Sequence, residues 1–564
     1  MIPSVTPQDL RLRRLAFLLV NATTYLALVG ALALAVGGSA LGVAIIACAA
    51  VFLPWSVLGF WTGAIGLFLL FVRRPEAEMA TPITLRTAVV MTLRNEDPAR
   101  ALGRLKIVQA SLDATGAGRC FAYFVLSDSS DPEIVAREAT GVANWQEDDA
   151  DPARITYRRR ADNTGYKAGN VMEFCEHQGA DFDLMVALDA DSLMSGAAIL
   201  DLVRIMQADP GIGIVQGLVV GLPATSVFAR MFQFGMRHGM RSYTVGQAWW
   251  THDCGPFWGH NAVIRIAPFR LNCRLPVLSG APPFGGHILS HDQVEAVLMR
   301  RAGYSVRLQP VAGGSWEDNP PTILDYIRRD TRWCQGNLQY VRLIGMKGLL
   351  PVSRFQLLWA ILMFAGIPAW TLLMALLPLA AWAWRDMAAG SQGILIALWW
   401  IFMLMYLAPK LAGYVHTAAS RHRRSRYGGL WRMGLGVLCE ILFSLLQSSI
   451  TSFNTVGFIA SLLLGNSTRW SGQARDARAV SWAEAAQAFW PQTLFGAAVN
   501  LPMLMVSPAM LPYALPFTLG YLVAIPFAVA TASPALGRWS VRFGLCAVPE
   551  EAAPPVEVAA LGFV

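Results

Sequence analysis

Residues 15–36 and 40–72 are two nearly uninterrupted apolar runs, each at least as long as the roughly 20 residues that cross a bilayer. The first is broken only by a polar patch at 21–24, and the second ends at Arg73-Arg74-Pro75. Arg11, Arg13 and Arg14 precede the first run. Excess cation beside a span marks its cytoplasmic side, so the pair reads as a hairpin with both ends in the cytoplasm. The run is too long for a cleavable signal, and a second follows directly. Composition agrees: 55% of residues are hydrophobic and 15% charged, against about 25% charged in soluble chains. The excess of 45 Lys+Arg over 37 Asp+Glu, +8, flanks apolar stretches, which fits the positive-inside pattern and not nucleic-acid binding. The eight cysteines form no C-x-x-C pair, which argues against a zinc site or a disulfide framework.

Between residues 76 and 350 charges become frequent, and short β-rich runs alternate with helical ones. The stretches 88–93, 121–126, 184–188 and 213–220 read as buried strands, near-continuously apolar as a parallel sheet requires. Acidic or amide residues follow the first three, at the strand ends where such sheets bind ligands. From residue 355 the chain is apolar again, with spans expected at 357–383 and 394–416. The basic loop Arg421 to Arg432 returns it to the cytoplasm. Residues 433–464 carry Glu440, Gln447 and Asn454 and fit an interfacial helix plus a span or re-entrant piece. A polar segment with Arg469, Arg475 and Arg478 follows, then a proline-rich hairpin at 494–506 and 511–532. The expected organisation is a transmembrane hairpin at 1–75, a cytoplasmic α/β domain at 76–350, membrane and interfacial helices at 351–532 and a short cytoplasmic tail at 533–564. Six to eight spans, an even number, would leave both termini inside.

The chemistry begins at Asp189-Ala190-Asp191, a D-x-D at the end of an apolar strand. Hard oxygen ligands, one or two carboxylates plus substrate phosphates, are how Mg²⁺ is usually held; alone, the motif is equally a solvated loop. Its neighbours in sequence strengthen it. Asn95-Glu96-Asp97 follows the first strand, Asp128 to Asp131 the second, and Asn163 to Asn170, with Gly165, Lys167 and Gly169, comes before the D-x-D. The glycines and lysine suggest a phosphate cradle, without the Gly-Lys-Ser/Thr ending of a P-loop. Together these groups fit one nucleoside diphosphate with a metal. Trp258-Gly259-His260 and Ser290-His291-Asp292 come next, where the aromatics suit a sugar face or plain packing. His252, His260, His287 and His291 have no spacing typical of zinc. Arg328 to Asn337 offers cations for a diphosphate leaving group and Trp333 for a sugar, or else a basic membrane-facing helix.

Taken in order, Asn95-Glu96, Asp128, Lys167-Ala168-Gly169-Asn170, Asp189-x-Asp191, His291-Asp292 and Arg332-Trp333 resemble the processive family-2 glycosyltransferases of the cellulose synthase superfamily. The stretches FVLSDSSDP, YRRRADNTGYKAGN, LDADSLM, FWGHNAVIR, LSHDQVEAVLMRRAGY and RWCQGN are similar to the branch that builds osmoregulated periplasmic glucans. The match runs from about residue 85 to 490. Two departures from the wider superfamily, Arg329 in place of a glutamine and His291 in place of an acid, fit that branch. No cyclic-di-nucleotide-binding domain, which bacterial cellulose synthases typically carry, is expected after residue 532.

The resemblance implies a GT-A domain inserted between bundles of transmembrane helices in the bacterial inner membrane. It implies an inverting single displacement from UDP-glucose onto a growing, β-1,2-linked glucan, with Asp292 as general base. Asp191 and Asp189 would hold Mg²⁺ or Mn²⁺, with Asp189 also able to meet the nucleoside. Lys167 and Arg332 would assist the leaving group, and Asn95, Glu96 and Asp128 would bind the donor. Trp333, Trp258, Gly259 and His260 would meet the acceptor. By the same resemblance, partners are membrane lipid, acyl carrier protein and periplasmic glucan-modifying proteins, and no nucleic acid. Other readings stay open: another processive polysaccharide synthase, a transferase acting on polyprenyl phosphate, or a transporter whose cytoplasmic domain merely binds nucleotide. Asp292 equally fits a helix cap.

Overall fold

A computed structural model describes residues 5–72, 81–467 and 475–562. Arg73, Arg74, the expected boundary at residues 75 and 76, and Arg469 lie outside them. Helices α1 (Pro7–Val36) and α2 (Ala40–Val72) form the N-terminal hairpin. Thr6 caps α1 and Gly37, at φ 69°, ends it, a left-handed position that suits glycine.

The α/β unit then alternates strands and helices: β1 (Thr87–Leu93), α3 (Pro98–Ala114), β2 (Phe121–Ser127), α4 (Pro132–Asp148), β3 (Ile155–Arg159), α5 (Tyr166–His177), β4 (Leu184–Asp189), β5 (Leu193–Met194), α6 (Gly196–Ala208), β6 (Ile212–Gly217) and β7 (Val220–Gly221). After the long α7 (Val227–Thr251) come β8 (Ala262–Arg265), α8 (Ile266–Asn272), α9 (Asp292–Arg301), β9 (Ser305–Gln309), β10 (Ser315–Glu317) and α10 (Ile323–Leu338). Seven strands make one sheet in the order β3-β2-β1-β4-β8-β6-β9. Every pairing is parallel except those of β8, which runs antiparallel to β4 and β6. Strands β5, β10 and β7 form a small second sheet. Val89, Met91, Val186 and Leu105 face one core, Ala88, Met185 and Ile214 the other, so the strands are apolar on both sides as their sequences require. Asp97 and Asp131, read from sequence among the strand-end acids, are helix caps: each accepts a bond from a first-turn amide and precedes a proline at N1, the geometry those residues favour.

The second apolar part comprises α11 (Pro351–Ala383), α12 (Ala389–Ala418), α13 (Arg421–Ser425), α14 (Gly429–Leu463), α15 (Trp482–Val506), α16 (Leu511–Leu522) and α17 (Ala524–Thr531). Among the described residues, helices α1, α2, α11, α12 and α14 are long and apolar enough to cross a membrane, and the pair ending in α17, bent by 65°, makes up to six. The chain is thus a multi-pass membrane protein. The stretch 433–463 lies in one continuous helix, α14, with Leu464 as its C-cap, and needs no re-entrant piece. The tail folds into α18 (Pro534–Phe543), α19 (Pro549–Ala552) and α20 (Val556–Ala559). It runs back along the α/β unit: Val558 sits in the core beside Leu112 and Trp316, and Ser111 donates to Glu557 at 2.5 Å.

The α/β unit is keyed onto the first hairpin. A Cβ at Gly66 of α2 would overlap the Ser242 carbonyl of α7, and one at Gly246 of α7 would overlap the Thr62 carbonyl of α2. Two glycines facing each other's backbones are what let helices approach this closely. Arg14 of α1 donates to the Thr251 carbonyl and pairs with Asp253 at 2.5 Å, and Asp253 also takes Arg300 at 2.7 Å.

Candidate active site

The carboxyl ends of β1, β2 and β4 lie side by side, with Leu93 opposite Ser127 and Thr92 opposite Asp189. Asn95, at φ 57°, takes a left-handed conformation that asparagine tolerates. Its side chain joins the first two loops, accepting from Ser130 and Asp131 amides at 2.9 and 3.1 Å and donating to the Ser130 hydroxyl. Glu96 accepts from the Arg94 amide. Burial raises its carboxyl to about 7, helped by Asp189 and Asp191 and opposed by the Arg94 amide and Arg475. Asp128 is gripped at both oxygens by Arg160, at 2.7 and 2.8 Å, and both side chains are buried. Arg160 also donates to the Thr164 and Tyr166 carbonyls. Here Asp128 orders the 163–166 loop through this guanidinium.

That loop ends at Gly165, φ 71°, the N-cap of α5. Lys167 follows on the first turn. It ion-pairs with Asp189 and donates to the Gly259 carbonyl at 2.9 Å. Burial alone would raise the Asp189 carboxyl, but Lys167, His260 and Arg475 bring it down to about 2. Asp191 lies two residues past the strand end, its side chain in an ion pair with Arg475 from the α14–α15 connection. The Asp191 carbonyl accepts from Arg104, which also reaches Asp318 at 2.8 Å.

The segment 257–261 lies between these groups and α9. Gly259 is at φ 81° and Asn261 at φ 51°, left-handed conformations that glycine and asparagine adopt readily. Hydrogen bonds then fix the segment. Gln216 accepts from the Trp258 amide at 2.8 Å and donates to the His260 carbonyl at 3.0 Å. Asn261 donates to the Ser315 hydroxyl at 2.9 Å, and its amide to the Ala187 carbonyl at 2.7 Å. His260 Nε2 stands 3.4 Å from Glu317. Burial raises the Glu317 carboxyl, with Asp191 and Asp189 adding to it and His260 and Arg329 opposing. A Cβ built on Gly259 would be 3.4 Å from the Asp292 Cβ. Asp292 is therefore the neighbour of a turn whose carbonyl is tied to Lys167 and, through it, to Asp189.

Asp292 is the first residue of α9, and its N-cap, His291, makes no side-chain cap bond. His291 Nδ1 pairs instead with Glu295 at 2.9 Å. Burial disfavours the charged imidazole, but Glu295 and Asp292 outweigh it and raise its pKa. On α10, burial, Arg329 and Arg475 lower Arg332 to about 10, with Glu96 opposing. Trp333 is 47% exposed, with Arg329 4.7 Å from its ring.

The expected residues thus fall into one cluster around Lys167, Asp189 and Asp191, linked through Gly259 to Asp292, with Arg332 and Trp333 on α10. Arg104, Gln216, Glu317 and Asp318 belong to the same site and were not singled out from sequence, while Arg160 and Arg475 were named there only as parts of a basic run and a polar segment, without a role. Asp189 and Asp191 are the right donor type for a hard divalent cation. Among the described residues no group of three or more His, Cys, Asp or Glu could hold a metal by itself, so such a cation would depend on substrate phosphates or water for the rest of its shell. The four histidines, whose spacing is not that of zinc ligands, form none.

Comparison with known proteins gives the family. The model for Glycosyl transferase family group 2 matches residues 184–412. Glucans biosynthesis glucosyltransferase H of Shewanella oneidensis is 36% identical over 517 residues, 89% of this chain and 71% of the relative. The protein of the same name from Shewanella baltica is 36% identical over 527 residues, 90% and 72% of the two chains. A solved mannosyltransferase of Pyrobaculum calidifontis, in complex with GDP-mannose and Mn²⁺, aligns with 66% of this chain and 98% of its own at 18% identity and a TM-score of 0.42. The mixed, mostly parallel sheet flanked by apolar helices is a GT-A domain in a membrane setting, and the chain belongs to the glucans biosynthesis glucosyltransferase H family of family-2 glycosyltransferases.

Proposed function

We propose that this protein transfers glucose from UDP-glucose, with inversion, onto a growing β-1,2-linked glucan, and that its membrane helices pass the product across the inner membrane from a cytoplasmic active site. The observation that carries the reading is the Gly259 turn. It stands between a lysine-paired D-x-D and Asp292, so donor and acceptor groups share one wall. Asp189 and Asp191 would hold Mg²⁺ or Mn²⁺, which when bound neutralises charge growing on the diphosphate. Lys167 and Arg332 supply fixed cations to the same leaving group. Glu96 and Asp128 shape the nucleoside end, Asn95 holding their loops together. Asp292 accepts the acceptor hydroxyl's proton as the new bond to the anomeric carbon forms, the usual task of a positioned carboxylate. Trp333 and Trp258, with Gly259 and His260, give the incoming sugar a stacking face and polar edge.

A polar glucan cannot cross about 30 Å of hydrocarbon unaided, and α11 to α17 follow the catalytic domain directly. The test is product analysis after feeding labelled UDP-glucose to vesicles carrying the purified protein. A β-1,2 polymer inside the lumen is expected, with slower turnover of GDP-mannose and UDP-N-acetylglucosamine. Comparable turnover of all three donors, or a single sugar on lipid, would overturn the assignment. Asp191→Asn should lose transfer and weaken UDP binding only when Mg²⁺ is present.

A further inference from the structure

Among the residues of α18, only Gly537 and Ser540 are buried, and Gly537 rests on the Thr225 carbonyl before α7. The exposed side chains fall on two arcs. Leu536, Trp539 and Phe543, spaced three and four apart, share a face, and the Trp539 and Phe543 rings are 4.9 Å apart. Arg538 and Arg542 occupy the adjoining arc, and the helix contains no Asp or Glu. It begins just after α17, where the bent apolar pair ends. The start of α14 lies alongside: the Cys546 thiol donates to the Gly436 carbonyl at 3.6 Å, and a Cβ on Gly544 would be 3.6 Å from Arg432 Nη1. There Trp431 is 91% exposed, with Leu430 and Leu435 beside it. Residues 421–432 add five arginines and no carboxylate. An exposed aromatic face flanked by cations, at the end of membrane spans, fits a helix seated in the headgroup layer. The absence of acids among these arginines favours an anionic headgroup there.

Past α18 the chain leads back to the catalytic domain. Arg230 of α7 donates to the Leu545 carbonyl and to Glu551, both at 2.9 Å. Glu550 pairs with Arg237 at 2.5 Å and accepts from the Trp316 indole at 3.2 Å. Trp316 stands between Ser315, which holds Asn261, and Glu317, which faces His260.

We propose that α18 and the first turns of α14 form an anchor for anionic lipid headgroups of the membrane the protein spans, and that lipid seated there orders the strap 545–558 against the catalytic domain. The orientation rests on the cytoplasmic placement proposed above, but the test does not use activity, so a wrong donor assignment would leave its outcome unchanged. Amide hydrogen exchange over 545–558 is compared in nanodiscs of phosphatidylcholine with and without phosphatidylglycerol. Exchange is expected to slow ~3-fold or more with phosphatidylglycerol, within the range local opening equilibria span. Arg538→Gln with Arg542→Gln should abolish the difference while leaving strand 87–93 fully protected, and Arg538→Lys with Arg542→Lys should keep it. Equal exchange in both lipids, or a lipid effect that survives the double glutamine variant, would overturn the proposal. So would loss of protection in strand 87–93 alongside it, if the lysine variant also lost the lipid effect.

Discussion

The donor-side carboxylates and Asp292 differ in the company they keep. Asp128, Asp189 and Asp191 each meet a cation, Arg160, Lys167 and Arg475 respectively. Asp292, a turn of chain away, has no cation within ion-pair distance among the described residues and no cap to make. On the function proposed above, the two groups have opposite tasks. A donor with a diphosphate brings negative charge to carboxylates that are already fixed, so their field must be offset by lysine, arginine and metal. A base must keep a lone pair available, and a tight ion pair would lower its basicity. The pairing on one side and its absence on the other are what a division between holding and accepting a proton would require.

The sharpest way to break this comparison is Asp292→Asn, which preserves size but cannot accept a proton at neutral pH. Transfer should fall by roughly 10²–10⁴, the usual worth of a positioned base, with UDP-glucose affinity nearly unchanged by calorimetry. Retention of more than half the wild-type rate would return Asp292 to a structural role. Gly259→Ala attacks the wall between the two groups. Its φ of 81° is strained for any residue with a Cβ, and because the new methyl would already touch Asp292 at 3.4 Å, a shift of the turn that relieved the strain would be felt there. A displacement of about 1 Å can cost ~10²-fold, so kcat should fall by that order while the donor KM stays within about two- to threefold. A change confined to KM would show that the turn serves donor binding alone.

Trp333→Ala sharpens the acceptor side. Donor binding should persist and some donor hydrolysis continue, while elongation is lost, read as short products or free glucose by chromatography. Unchanged product length would remove Trp333 from the acceptor path. The smallest effect expected is a slope. Folded Glu96 keeps its proton to about 7, against an ordinary value near 4.5. The folded state therefore holds the proton more tightly, and stability from this group, full below about 4.5, is lost as pH rises through about 7. Donor-free, metal-free protein should melt a few degrees lower at pH 8 than at pH 5, and Glu96→Gln should flatten that part of the profile. An identical profile in the variant would mean that burial does not govern this carboxyl.

Much of this arrangement was legible because it is local. The strands announce themselves as apolar runs, and Asp189, Lys167 and Asp292 stand in contiguous motifs at strand ends and a helix start. Other members reach the site from a distance. Arg104 reads as one more charge on an amphipathic helix, and only the fold turns it toward the Asp191 carbonyl. Arg475 comes from a connection nearly three hundred residues along the chain from the aspartate it meets. Glu550 and Glu551 stand in a stretch that reads as a plain tail, yet they bind arginines of α7. Asp97 and Asp131 mislead in the other direction: acids after strands are as apt to cap the next helix as to bind a ligand. The expected six to eight spans meet five helices plus a bent pair, because prolines and polar residues make α15 to α17 hard to sort by composition.

The glycines that let α2 and α7 touch backbone to backbone have a mechanical consequence. A joint made of side chains can slide by exchanging rotamers, but main chain against main chain has no such slack. Such a joint resists rocking of the catalytic domain on the first hairpin. If the protein elongates a glucan as proposed, each step of polymer advance would then fall to the loops around the acceptor, or to the glycan itself slipping past a fixed frame, as thread passes a clamped needle.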